Sequence, residues 1–532
     1  MSFLAQVGVV ALVFFVWLFS QEFVWLLWYR FQSRKNHCAV PSRIERSFPL
    51  GVRRIIRLLK LAKTYRLLEV QTKEVFSKGA RTVLRQIPLQ YQLFTIEPEN
   101  VKAILATNFN DFSLGIRYNQ FGPVFGDGIF TLSGSGWKHS RAMLRPQFAR
   151  DQISRVDQIS DHAKTLIEAI LRCQSQEKWV NIQHYFHLLT MDTATEFLFG
   201  ESIDSLNPNH KASIVTRSGE EMTPEEFVES YTFLNNYAFK RAIMSKLYWT
   251  LNSKEYREHR RRAQAFIDYY VDRALYATSF PEDEDEKDTG DKNAGGSGKS
   301  DRVYVFALEL AKVTRDPVVI RDQIFNILIA GRDTTASTLS FSLYYLARDP
   351  ELFNKLRENV IESFGTAEEG KPITFEGLKQ AQYLKYFVNE VLRLAPVVPL
   401  NSREAVRNTI LPKGGGPDGT KPVFVPKGTG VSYSVFMMHR DPNLWGPDAD
   451  QFRPERWATL KLDNLWSYLP FNGGPRICLG QQFALTEISL TLTRLLQEFK
   501  RVDKGPNFPD EPRLQNSLTL MNAPPGVHVR FS

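Results

Sequence analysis

The sequence predicts a mainly α fold with small β-sheets, an α+β body preceded by an N-terminal membrane helix. Three observations predict it. Long runs of helical period cover residues 154–172, 254–275, 318–346 and 481–499, against short β-rich fragments at 91–96 and 422–425. No convincing linker divides the chain before Phe280. The third is an apolar stretch from Val7 to Tyr29, which as one helix would span roughly 34 Å at about 1.5 Å per residue.

The anchor comes first. A cleaved signal peptide would need a basic start and a small-x-small site, and this stretch has neither. Arg30, Arg34, Lys35, Arg43 and Arg46 follow it and no cation precedes it, which puts the body on the cytosolic side. The expected division is a transmembrane anchor over 1–29, a basic juxtamembrane linker over 30–66 and one domain over 67–532. Glu22 interrupts the apolar run, so a second reading has two helical pieces with the later one in the interface. Residues 53–66 form a basic, leucine-bearing amphipathic stretch suited to a lipid surface. Further along, 281–300 carries an acidic run and then Gly-Gly-Ser-Gly, too little apolar content to pack, and is expected as a disordered, solvated loop. The glycine-rich segment 414–419 lacks the Lys-Ser/Thr of a phosphate cradle and reads as a turn between strands.

Bulk properties narrow the class. Within 532 residues, 43% are hydrophobic and 23% charged, a globular balance with room for a large core. The three cysteines, Cys38, Cys173 and Cys478, are scattered and odd in number, which argues against a disulfide framework. A formal charge of +9 suits an anionic membrane or an acidic protein partner, and no nucleic-acid motif accompanies it.

The most informative segment runs from Phe471 to Gly480. It sets Cys478 in a glycine-bracketed turn ahead of an amphipathic run, an arrangement that can hand one axial sulfur to a haem iron. Gly473 and Gly474 permit a positive-φ backbone, Gly480 lets the next segment approach a flat ligand, and Phe471 can shield the sulfur. Arg476 is a permanent cation suited to a haem propionate. A thiolate ligand pushes electron density to iron and favours O–O cleavage. The segment resembles the cysteine loop of the cytochrome P-450 superfamily, Phe-x-x-Gly-x-Arg-x-Cys-x-Gly, matching at Phe471, Gly474, Arg476, Cys478 and Gly480.

That resemblance extends over the chain after the anchor, with the motifs in order, and carries further expectations. Ala330 to Thr335 resembles the oxygen-binding helix, which implies that Asp333 and Thr334 form an acid–alcohol pair relaying protons to the oxygen being activated. Threonine can also bond the carbonyl one turn back and bend the helix. Glu390 and Arg393 lie three apart on one helical face, and with Arg456 the resemblance implies a structural lock beside the haem. Trp137, Arg141 and Arg403 resemble the propionate-binding set. His139 and His439 have no metal-ligand spacing and are read as local hydrogen-bonding groups.

The longer matches, among them Gly473 to Ala484 and Leu328 to Thr335, are similar to fungal microsomal members that hydroxylate alkanes and fatty acids. Ala330 stands where animal fatty-acid hydroxylases often carry a glutamate esterified to haem, so haem b (iron protoporphyrin IX) is expected to be held noncovalently, with Cys478 as its axial thiolate. The implied protein is a monooxygenase of the endoplasmic reticulum membrane, taking O2, a hydrophobic substrate and electrons from an NADPH-cytochrome P-450 reductase. Lys138, Arg145 and Arg150 are the expected docking cations. Phe112, Phe121, Phe125, Val397, Val398 and Leu400 are expected to line a pocket for an aliphatic chain hydroxylated at or near its end. Sterol or secondary-metabolite hydroxylation is the rival within the class, and a peroxide isomerase or dehydratase, or a haem sensor, the rival outside it.

Overall fold

The computed structural model describes residues 20–47, 51–88, 90–148, 156–176, 178–209, 213–279, 305–369 and 371–532. The apolar run 7–19, Arg150 and the 281–300 segment lie outside the described residues.

Helices dominate, and the long ones fall where the hydrophobic period places them: Val156–Ser175, Lys254–Ala277, Pro317–Arg348 and Gln481–Glu498. The central helix, Pro317–Arg348, starts cleanly because the Asp316 side chain accepts from the backbone N–H groups of Val318 and Val319 and proline occupies the first position. Most of its side chains are buried on every side, which is why it reads as near-continuous apolar sequence with only weak amphipathicity. It packs against Ile182–Phe199, Lys254–Ala277 and Gln481–Glu498.

A six-stranded sheet runs in the order Arg43–Glu45, Thr82–Ile87, Gln90–Thr95, Gly430–Ser434, Leu400–Ala405, Phe112–Ser113. Thr409–Gly415 and Lys421–Val425 form an antiparallel hairpin whose turn is the glycine-rich 414–419 segment, as the sequence predicts. One buried cluster joins the central helix to the C-terminal helices, a second lies under Pro224–Ile243, and a third backs the sheet.

The N-terminal region departs from the expected division. Residues 20–35 are helical and seated on the domain, with Leu26 and Tyr29 buried. Trp25 stacks on Tyr91 at 4.6 Å, and the Tyr29 hydroxyl donates to the Phe424 carbonyl at 3.0 Å. Glu22, the residue that breaks the apolar run, accepts from Tyr91 Oη at 2.6 Å and Gln86 Nε2 at 3.0 Å. The 30–66 stretch is part of the fold rather than a linker. It supplies the edge strand Arg43–Glu45, parallel to Thr82–Ile87, and the amphipathic helix Val52–Lys63, which buries Ile55 and exposes Val52 and Ile56. Among the described residues no helix is long and apolar enough to cross a membrane.

Candidate active site

The cysteine loop is built by backbone geometry. The Cys478 N–H donates to the Phe471 carbonyl at 3.0 Å, closing the loop. Its left-handed residues are Asn472 at φ 63° and Gly474 at φ 67°. A Cβ on Gly474 would sit 2.0 Å from the Leu105 carbonyl oxygen, so only glycine fits. Gly473 does not share that role: its φ of −155° is extended, and it is needed because a Cβ would meet the Trp466 ring at 2.7 Å. Gly480 lies on the cavity wall with ordinary space beside it. Cys478 opens onto the cavity just before Gln481–Glu498 begins, so the positive end of that helix favours a thiolate. Burial pushes the thiol pKa up, while the Gly480 N–H and Arg141 act the other way.

The central helix forms the facing wall through Ala330, Gly331, Thr334 and Thr335 of a cavity of about 660 Å³. Thr334 Oγ1 donates to the Ala330 carbonyl one turn back, at 2.6 Å. Asp333 points elsewhere. It is buried, accepts from Asn235 Nδ2 at 2.8 Å and Arg332 Nη1 at 3.0 Å, and is absent from the cavity wall. Burial raises its pKa. Beside it, Arg332 Nε and His187 Nδ1 are buried without a hydrogen-bond partner, the setting in which ordered water is expected.

Trp137, Arg141, Arg403 and Arg476 all line the cavity. Arg476 donates to the carbonyls of Ile129 at 3.1 Å and Leu132 at 2.9 Å and lies 4.4 Å over the Trp137 ring. Arg403 donates to Asn401 Oδ1 and the Ser402 carbonyl, and Arg141 to the Ile477 carbonyl. Arg117 joins them unforeseen, donating to Asn401 Oδ1 at 2.7 Å and the Ser402 carbonyl at 3.0 Å. Its partners lie 284 and 285 residues away, so no local pattern could have revealed it. Among the described residues none of these four arginines has an acidic partner. Burial and the neighbouring cations lower Arg117 and Arg476 to about 9. A cluster of this kind fits a dianion, and the two propionates of a haem would suit it.

Glu390, Arg393 and Arg456 come together in a buried network. Glu390 Oε1 and Oε2 take Arg393 Nη2 and Nε at 2.8 and 2.9 Å, and Oε1 also takes Arg456 Nε at 2.9 Å. Trp457 Nε1 donates to Oε2, and the backbone N–H of Arg453 to Oε1. Arg393 spends its remaining donors on the carbonyls of His439, Ala449 and Gln451. His439 is buried. Its Nδ1 lies 3.1 Å from the Arg393 carbonyl and its Nε2 accepts from the Leu469 N–H at 2.9 Å, which assigns the neutral tautomer protonated at Nδ1. His139 is exposed, and no cluster of metal-ligating side chains occurs among the described residues.

Phe121, Phe125, Val397, Val398 and Leu400 line the cavity. Phe112 does not. Its short strand pairs with Leu400–Ala405 at the sheet edge, which turns the ring into the cluster behind the sheet. Lys138 and Arg145 are exposed on and just after helix Gly134–Leu144.

A thiol at the end of a closed loop, a helix wall with an inward hydroxyl and an acid-free set of arginines define a haem-thiolate protein. The chain belongs to the cytochrome P-450 family, whose sequence pattern matches residues 55–530. These proteins hold haem through a cysteine thiolate and act as monooxygenases with a redox partner. The chain is 62% identical to cytochrome P-450 52-M1 of Starmerella bombicola over 100% of its own length and 98% of that protein. It is 46% identical to cytochrome P-450 52-N1 of the same yeast, covering 95% of both, and 48% identical to cytochrome P-450 52A4 of Candida maltosa, covering 84% and 80%.

Proposed function

We propose that the protein is a membrane-bound monooxygenase that hydroxylates long aliphatic chains, alkanes or fatty acids, at or near the terminal carbon. The observation that carries the reading is the cavity itself: Phe121, Phe125, Val397 and Leu400 lead an apolar chain toward Cys478. Such walls favour each buried CH₂ by about 0.8 kcal/mol. The bound haem supplies dioxygen activation, with the thiolate favouring O–O cleavage.

The chain's residues have separate tasks. Cys478 would give its thiolate to the haem iron, and Phe471 beside it would keep water from the sulfur. Arg117, Arg141, Arg403 and Arg476, with Trp137, would hold the propionates. Glu390, Arg393 and Arg456 fix the chain on which the cysteine loop rests. Thr334 holds a proton donor at the cavity wall, and Asp333 passes protons to it through water around Arg332 and His187, since Asp333 itself does not reach the cavity. Electrons come from an NADPH-cytochrome P-450 reductase docking near Lys138, Arg145 and Arg150. The 1–19 segment anchors the body to the endoplasmic reticulum membrane, and Val52 and Ile56 rest on the lipid.

Turnover with a microsomal reductase and NADPH on dodecane, lauric acid, oleic acid and a sterol tests the reading. Terminal alcohols or diacids, absent with Cys478→Ala, are expected. A converted sterol with intact chains would overturn the substrate and keep the class.

A further inference from the structure

Asp333 sits in a polar chamber of its own, bounded by the central helix, Ile182–Phe199 and Pro224–Ile243 and apart from the cavity wall. Four atoms in it are buried without a well-formed hydrogen bond: His187 Nδ1, Arg332 Nε, Tyr231 Oη and Asn235 Oδ1. Groups of this kind call for ordered water. We propose that His187 is the proton inlet of the site, its imidazole standing in the chamber wall, taking protons from solvent at Nε2 and handing them at Nδ1 to Asp333. The inference rests on the reading of Asp333 as the acid behind Thr334 and assigns where that acid gets its protons.

Geometry is the first argument. His187 Nδ1 lies 3.7 Å from Asp333 Oδ1, a gap that one water or a slight turn of the ring closes. Although Nδ1 is buried, the side chain keeps 16% of its surface exposed, so the exposure falls on the rest of the ring. The imidazole therefore has one nitrogen inside the chamber and an edge toward solvent. His184, three residues earlier on the same face of the helix, is exposed and extends that edge outward.

Chemistry is the second. The titratable and charged groups facing this pair among the described residues are Arg332 on the central helix, Tyr231 on Pro224–Ile243 and His184 on the helix of His187 itself. A guanidinium keeps its protons, and the Asn235 amide that bonds Asp333 neither gives nor takes one. Burial and Asp333 raise the Tyr231 hydroxyl well above its usual value. An imidazole, by contrast, takes a proton at one nitrogen and releases one at the other. Burial, Arg332 and His184 lower His187 well below 6.5, while burial raises Asp333 against the pull of Arg332 and Asn235. The two shift toward one another, which eases transfer between them. In the resting ring the proton is on Nδ1. Nε2 takes a proton from water, Nδ1 gives its own to the Asp333 carboxylate, and the ring regains its first tautomer by exchange with water. One proton enters for each one delivered, and no electrons move.

The test uses the full-length, haem-loaded protein in detergent with a microsomal reductase, NADPH and lauric acid. His187→Gln keeps hydrogen-bonding groups but cannot carry a proton. It should lower product formed per NADPH consumed by about tenfold and leave the thiolate–haem spectrum and lauric acid affinity unchanged. The loss should deepen from pH 6 to pH 8, more steeply than any change in wild type, because free hydronium must then replace the relay. Hydrogen peroxide in place of dioxygen and NADPH brings its own protons, and on that route the variant should match wild type. Equal losses on both routes, or unchanged coupling with NADPH, overturn the proposal. Asp333→Asn in parallel separates the two claims: if it too leaves coupling intact, the reading of Asp333 falls with the inlet, whereas a loss in Asp333→Asn alone removes the inlet only. Nitrogen NMR of histidine-labelled protein gives a readout free of turnover, with the His187 signal assigned as the one that Asp333→Asn displaces. Neutral His187 should carry its proton on Nδ1, and a proton on Nε2 alone overturns the proposal. That measurement on wild type decides should His187→Gln fail to retain haem.

Discussion

Acidification should reveal a buried histidine through a difference rather than a slope. Burial and Arg393 push His439 from 6.5 down to about 3. Between those values the unfolded chain carries a proton on this histidine that the folded one does not. Its contribution is complete above about pH 6.5 and is lost as pH falls toward 3, and from pH 7 to 5 the loss comes to about 2 kcal/mol. Glu487 opposes it. Burial raises it from 4.5 to about 7, against the hydrogen bond from Thr193 Oγ1 at 2.6 Å, which acts the other way. Its folded state keeps a proton that the unfolded state gives up, so its contribution is complete below about pH 4.5 and is lost as pH rises through 7. From pH 7 to 5 it gains about 2 kcal/mol. The two nearly cancel, while His187, lowered by burial, adds to the His439 side. A wild-type pH profile alone therefore says little. The informative quantity is the stability difference between wild type and His439→Gln, from urea unfolding of the haem-loaded protein at pH 7 and pH 5. Wild type should lose about 2 kcal/mol relative to the variant over that interval. An unchanged difference would refute the assignment of a neutral His439 holding the Arg393 carbonyl and the Leu469 N–H.

Two substitutions test the site more directly. Glu390→Gln leaves two buried guanidinium groups without their shared anion, a cost of about 3–5 kcal/mol, and should speed thermal loss of the thiolate–haem spectrum about 100-fold or more; a change under about threefold would make the lock dispensable. Thr334→Ala should leave that spectrum and substrate affinity intact while lowering product formed per NADPH consumed by about 100-fold, read by mass spectrometry, and unaltered coupling would remove the threonine from proton delivery.

What the sequence reveals follows the range of the interactions. The cysteine loop and the Glu390–Arg393 pair are encoded within a few residues, and the long helices by their period, so each is readable in one dimension. Arg456 completes the network from 66 residues away, and only the resemblance picks it out in the sequence. Arg117 carries no motif, because its meaning comes from Asn401 and Ser402, 284 and 285 residues along the chain. Gly473 and Gly474 look alike in sequence, but the Trp466 ring constrains one and backbone handedness the other. Phe112 illustrates the limit of composition: one more phenylalanine among several, it is turned from the cavity by an edge pairing that no pattern announces. Glu22 is the reverse case, an acid out of place in an apolar run whose partners, Gln86 and Tyr91, explain it.

The seating of residues 20–35 on the domain has a practical consequence. Because Glu22, Trp25 and Tyr29 clamp that helix to the strands Thr82–Ile87 and Gln90–Thr95 and to Phe424, it is an integral part of the domain. Trimming the chain at 29 or 66 for soluble expression would expose Tyr91 and the back of the sheet, and the later cut would also remove the edge strand and Glu45. A cut before Ser20 keeps this helix, and with it the cover over Tyr91 and the back of the sheet.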